Sequence, residues 1–224
     1  QGVSSAASDV YKRQAVAIIP DGASVLVGGF GEAGVPFELL HCLAELGRRD
    51  LTVIANNAGT WDRGIAALLN RKQVRKIICS HPRPPNSEAF ARAFRAGEVE
   101  LECVPQGTLA ERLRAAGAGL GPFYTPTGYG TELAQGRHQE VIDGVGYVLE
   151  QPLRGDYALI RAHQGDRWGN LMYRHAARNF NPVMCMAAGH AIAQVDDVVP
   201  LGTFVPEQIM TQGLFVKAVV RVEN

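Results

Sequence analysis

Short apolar runs alternate with amphipathic stretches through the first half of the chain. The runs at residues 25–28, 51–55, 76–79 and 101–104 are largely apolar on successive positions, as strands buried on both faces are. Between them, residues 37–47, 65–70, 86–96 and 109–116 repeat apolar side chains at helical spacing. Strands alternating with helices predict βαβ units, and hence a mainly parallel sheet flanked by helices. The second half has a different texture. After the glycine-rich residues 117–130, strand-like runs follow at 147–150, 157–162, 170–173, 192–199 and 215–222, with one helix near Ala187. More strands and fewer helices predict a partly antiparallel C-terminal extension of the sheet. No internal repeat or low-complexity linker interrupts residues 15–224, which read as one α/β domain. Residues 1–14 lack a clear apolar face and read as a frayed first helix or a poorly ordered segment foreign to the rest.

The most informative stretch is Ser24-Val-Leu-Val-Gly-Gly-Phe-Gly-Glu-Ala-Gly-Val-Pro36. A buried strand ends in four glycines, and a proline opens the helix that follows, where its missing N–H is no loss. Glycines at a strand-to-helix turn let the backbone approach a ligand, and the helix N-terminus offers free N–H groups to an anion. This predicts a phosphorylated ligand. The spacing Gly29-x-Gly31-x-x-Gly34 also fits a dinucleotide fingerprint. That fingerprint needs an acidic residue at the end of the second strand, where this chain has Asn56 and Asn57. Asp50 lies before that strand, on the wrong edge. A structural turn that binds nothing is the other alternative.

Composition narrows the class. The 224 residues are 46% hydrophobic, enough for a full core. Basic and acidic residues balance at 22 each, so nothing favours electrostatic capture of nucleic acid or of an acidic membrane. No apolar run approaches a membrane span and no secretory signal opens the chain. The four cysteines are scattered in apolar surroundings, which reads as reduced core thiols in a cytoplasmic protein. No ligand spacing suggests a metal.

No nucleophile elbow is present, and Ser80-His81, adjacent in sequence, do not form a nucleophile–base pair. Four polar turns follow the predicted strands: Phe30–Gly34, Asn56-Asn57-Ala58-Gly59, Ser80-His81-Pro82-Arg83 and Pro105-Gln106-Gly107-Thr108. In a parallel sheet all four fall on the carboxyl edge, where such sheets bind ligands.

Together these residues resemble a known family. Gly28-Gly-Phe-Gly-x-x-Gly-x-Pro36, Asn56-Asn-Ala-Gly59 and Pro105-Gln-Gly-Thr-Leu-Ala-Glu-Arg112 are similar to the A subunit of family I 3-oxoacid CoA-transferases. So are Thr125-Pro-Thr-Gly-Tyr-Gly-Thr131, Gly165-Asp-Arg-x-Gly-Asn170 and Ala177-Arg-Asn-Phe-Asn181. The matches run in order from Asp21 to Val222. The resemblance implies the family I fold, transfer of coenzyme A from succinyl-CoA to a 3-oxo acid, and CoA thioesters as substrates without a permanently bound cofactor. It also implies a B subunit carrying the nucleophilic glutamate, in an A2B2 heterotetramer. That glutamate's motif is absent here, and Glu32 is its only nearby substitute.

Several roles follow from the resemblance. Gln106 becomes the oxyanion donor, with a helix-capping glutamine as the alternative. Gly28, Gly29, Phe30, Gly31, Glu32, Ala33 and Gly34 become the CoA-binding segment. Asn56, Asn57 and Arg83 become substrate contacts, while Arg178 and Asn179 are read as structural or interface residues. Ser80-His-Pro-Arg-Pro-Pro-Asn-Ser87 resembles the 3-oxoadipate subset. An arginine suits a distal carboxylate because its planar fork binds both oxygens, although Arg83 also fits a solvated loop. Acetoacetate is the alternative acceptor, and the different class left open is a sugar-phosphate-binding regulator or isomerase module.

Overall fold

A computed structural model describes residues 5–222 of the chain. In chain order the elements begin with α1 (Ser5–Ala17), β1 (Ser24–Val27), α2 (Phe37–Leu46), β2 (Leu51–Asn57), α3 (Ile65–Asn70), β3 (Val74–His81), α4 (Glu88–Arg95), β4 (Glu100–Cys103) and α5 (Gln106–Ala118). There follow β5 (Phe123–Thr125), β6 (Gln139–Ile142), β7 (Val145–Glu150), β8 (Gly155–Asp166), β9 (Leu171–Met172), α6 (Asn181–Ala187), β10 (Ala188–Val199) and β11 (Val216–Arg221). Helix α1 runs through the boundary drawn at residue 14, and the part of that segment before Ser5 lies outside the described residues.

The main sheet has the order β11-β10-β8-β1-β2-β3-β4, and every pair along it is parallel. Alternate side chains of its strands feed two cores, as the period of two requires. Val25, Val27, Val53, Ile77 and Leu159 pack on one face against Leu39, Leu40 and Leu43 of α2, Leu68 of α3 and Phe90 of α4. Leu26, Ile54, Ile78, Ala158 and Ile160 pack on the other, under Leu109 and Leu113 of α5 and Met184 and Cys185 of α6. Burial on both faces explains why the central strands read as largely apolar runs.

The antiparallel part differs in place from the expected C-terminal extension. It is a separate sheet of order β5-β7-β6, and among the described residues only the short β9 joins the main sheet antiparallel, on β8. The C-terminal strands β8, β10 and β11 are parallel. Their crossovers are compact: seven residues of helix make α6, and two 3₁₀ turns, Pro206–Gln208 and Gly213–Phe215, lie between β10 and β11. A parallel crossover without a long helix has no amphipathic signature to read.

From β1 the chain first winds outward through β2, β3 and β4, then returns to place β8 on the other side of β1. That reversal makes the carboxyl ends of β1 and β8 the topological switch point, the edge at which parallel sheets bind ligands. The glycine-rich turn lies there.

Candidate active site

The turn after β1 is held from behind. Gly28 N–H donates to the Leu159 carbonyl at 3.0 Å, and Phe30 and Ala33 exchange backbone hydrogen bonds at 3.0 and 3.1 Å. The identity of two glycines follows from packing within the chain. A Cβ on Gly28 would lie 1.8 Å from Oδ1 of Asn181, and one on Gly34, at φ +72°, would lie 2.4 Å from the Ala177 carbonyl. Gly31, at φ +59°, faces open space. Behind the turn, a void of about 20 Å³ bounded by Gly28, Gly29, Asn56 and Asn57 has room for about one water.

Two N–H groups in the first turn of α2, where the sequence suggested an anion site, have partners within the chain. Phe37 N–H donates to Val35 O at 3.0 Å, and Leu39 N–H donates to Oε1 of Gln194 at 3.3 Å. Gln194 comes from β10, is 1% exposed, and acts as a distant cap. At the tip of the turn Phe30 is 51% exposed. Glu32 accepts from Arg63 at 2.7 Å and from the Thr60 hydroxyl at 3.1 Å. The Arg63 hydrogen bond holds its carboxyl below the usual range. Glu32 is therefore an engaged carboxylate. Arg63 also lies 4.3 Å over the Phe37 ring, a cation–π contact.

Asn56 and Asn57 end β2 and face inward, at 4% and 8% exposure. Asn57 Oδ1 accepts from Gly59 N–H at 2.9 Å, and its Nδ2 donates to Gly31 O at 3.4 Å, which ties two turns together. Asn56 Oδ1 accepts from Gln106 Nε2 at 2.8 Å and from the Ser80 hydroxyl at 2.9 Å. The sequence set both asparagines beside substrate; in the structure their side chains tie the neighbouring turns together.

Gln106 is the first residue of α5, earlier than the start predicted near Leu109, because Leu109 N–H already closes a helical bond onto Pro105 O. Among the described residues no side chain caps this helix, so Gln106 is not seen in the capping role. Its amide crosses to Asn56 while the residue stays exposed. It borders a cleft of about 290 Å³ shared with Phe30, Ala110, Asn179, Phe180 and Val183. Arg83 is exposed on the loop after β3 and forms no hydrogen bond or ion pair with another described residue. His81 is exposed too, and it does not pair with Ser80, whose hydroxyl is turned to Asn56.

Asn181 is the residue that site reasoning missed. It is fully buried; its Nδ2 donates to Gly34 O at 3.1 Å and Ala177 O at 2.8 Å, and its Oδ1 accepts from Arg161 N–H at 3.0 Å. Asn179, at φ +20°, donates from Nδ2 to Ala33 O at 2.9 Å. A non-glycine in such a conformation is held there by its surroundings. The signal was the motif ending in Phe180-Asn181, whose distance in sequence from the glycine turn hid its purpose.

Burial pushes the Cys79 and Cys185 thiols up to about 12, which removes them as nucleophiles at neutral pH. Among the described residues no helix is long and apolar enough to cross a membrane. The carboxyl edge thus presents a neutral amide donor beside an apolar cleft, with an ion-paired glutamate nearby. Such a donor suits a carbonyl oxygen that gains charge.

The family of coenzyme A transferases matches residues 11–222. The chain is 59% identical over 210 residues to the A subunit of the 3-oxoadipate CoA-transferase of Pseudomonas putida, covering 94% of this chain and 91% of that one. It is 56% identical over 211 residues to the protein of the same name from Acinetobacter baylyi, covering 94% and 92%. An acyl-CoA transferase structure from E. coli O157:H7, a thioester complex with CoA, superimposes with a TM-score of 0.82. At 24% identity, over 95% of this chain and 48% of that one, the likeness is one of fold.

Proposed function

The chain belongs to the coenzyme A transferase family, and we propose that it is the A subunit of an enzyme moving CoA from succinyl-CoA to 3-oxoadipate. The observation that carries the acceptor is the 59% identity, over nearly the whole chain, to the A subunit of a 3-oxoadipate CoA-transferase. The Arg83 loop adds support, since its unengaged guanidinium suits a second carboxylate on the acceptor.

In this reading the nucleophile is a glutamate on a B subunit. Its carboxylate attacks the thioester carbonyl and CoA leaves as thiolate, giving an acyl-glutamyl anhydride. The thiolate then attacks the glutamyl carbonyl, succinate leaves, and a glutamyl-CoA thioester remains for the acceptor carboxylate. Each attack puts negative charge on a carbonyl oxygen. Gln106 Nε2 has two N–H groups and gives one to Asn56, so the second is available to that oxygen. Glu32 supports the division of labour, because a carboxylate paired with Arg63 is a weakened nucleophile. The turn 28–34 contacts CoA on its open side, at Phe30 and Gly31. CoA thioesters are substrates rather than resident cofactors, the assembly is A2B2, and the location is cytoplasmic.

The test is an assay of the chain alone and with its B subunit, using 3-oxoadipate and acetoacetate as acceptors. Turnover should require both subunits and favour 3-oxoadipate. Turnover by the isolated chain would overturn the shared site, and a preference for acetoacetate would overturn the acceptor.

A further inference from the structure

The Gln106 amide sits on a long, flexible side chain, and a donor acts on a developing charge only if it is already in place. Its anchor is Asn56, which at 4% exposure has almost no surface to offer a substrate. Asn56 is itself held by one more side chain. The Ser80 hydroxyl lies 2.9 Å from Asn56 Oδ1 and 3.0 Å from Asn56 O. The sheet register creates this chain of contacts. Ala55 pairs with Cys79 and Asn57 with His81, so Asn56 and Ser80 are neighbours on adjacent strands. Cys79 in turn pairs with Cys103, and Val104 N–H donates to Cys79 O, which delivers Gln106 to the same spot.

We infer that Ser80 is a positioning residue for the transfer: acting through Asn56, its hydroxyl fixes the Gln106 amide at the cleft. Ser80 touches no reacting atom. The inference rests on Gln106 being the oxyanion donor.

The experiment is a double-mutant cycle on the assembled two-subunit enzyme, with Ser80→Ala, Gln106→Ala, the double variant, and Ser80→Thr as the conservative control. Ser80→Ala should lower kcat about tenfold, the scale of one hydrogen bond, while KM for succinyl-CoA and 3-oxoadipate stays unchanged. Ser80→Thr keeps a hydroxyl and should restore kcat. In the Gln106→Ala background, Ser80→Ala should cause no further loss. An undiminished kcat in Ser80→Ala overturns the inference, as does an equal loss with and without Gln106. A normal kcat in Gln106→Ala would instead remove the donor role itself, and the inference with it. A slow Gln106→Ala with an independent Ser80 effect removes the inference alone.

Discussion

Replacing Gly28 with alanine separates packing from ligand approach as the reason for glycine in the turn. The new Cβ would sit 1.8 Å from Asn181 Oδ1, so the carboxamide must retreat by about 1.6 Å to reach ordinary contact at 3.4 Å. Its bonds to Arg161 N, Ala177 O and Gly34 O cannot survive such a shift, since they measure 3.0, 2.8 and 3.1 Å. Each buried group left without a partner costs about 1–3 kcal/mol. Partial relaxation brings the expected loss to about 3–5 kcal/mol, or a fall in Tm of roughly 10 °C for a domain of this size. Asn181→Ala removes the same bonds and should cost a similar amount. The two changes should not add, because deleting the carboxamide makes room for the Gly28→Ala methyl. Thermal and urea unfolding of wild type, both single variants and the double variant measure this. A Gly28→Ala protein within about 0.5 kcal/mol of wild type, with a raised KM for succinyl-CoA, would refute the packing account. So would strict additivity.

Gln106→Ala should slow kcat about 10²-fold in the assembled enzyme with little change in KM, as for a donor used in the transition state. Gln106→Glu should be at least as slow, since it sets a carboxylate where negative charge develops; normal kcat in either variant would return Gln106 to a structural role. Arg83→Ala should raise KM for 3-oxoadipate about tenfold or more and leave acetoacetate less affected, whereas equal effects on both would show a solvated loop arginine. Glu102 titrates within a charged cluster on β3, β4 and α5. Burial raises its pKa, but the hydrogen bonds from Lys76, at 2.7 Å, and Arg112, at 3.0 Å, outweigh it and hold the carboxyl low. Its stabilisation is present above the unfolded value and is lost as pH falls through the lower folded one. The stability gap between wild type and Glu102→Gln, measured by urea unfolding, should therefore begin to narrow as pH falls below about 4 and shrink further as the folded-state carboxyl protonates; a gap that does not change with falling pH would refute it.

Much of the architecture was legible because local periodicity carries it. The predicted 65–70 helix matches α3, and the first four predicted strands lie within about a residue or two of β1 to β4. Placing four polar turns on one edge needed only the rule that βαβ crossovers keep strands parallel. The family also followed from the sequence, since long motifs in a fixed order persist whatever the packing around them.

Long-range pairing decided the rest. Gly28 and Asn181, or Leu39 and Gln194 at a separation of 155 residues, meet only once β8 and β10 have crossed back beside β1. No pattern within a window could report that two of the glycines face an asparagine, or that the first turn of α2 is already capped. The inward turn of Asn56 likewise depends on the register of β2 against β3. Composition and spacing determined which residues reach the carboxyl edge; the tertiary structure determined which of them face the cleft and which hold the edge together, because a side chain's partners are set by the strands brought beside it.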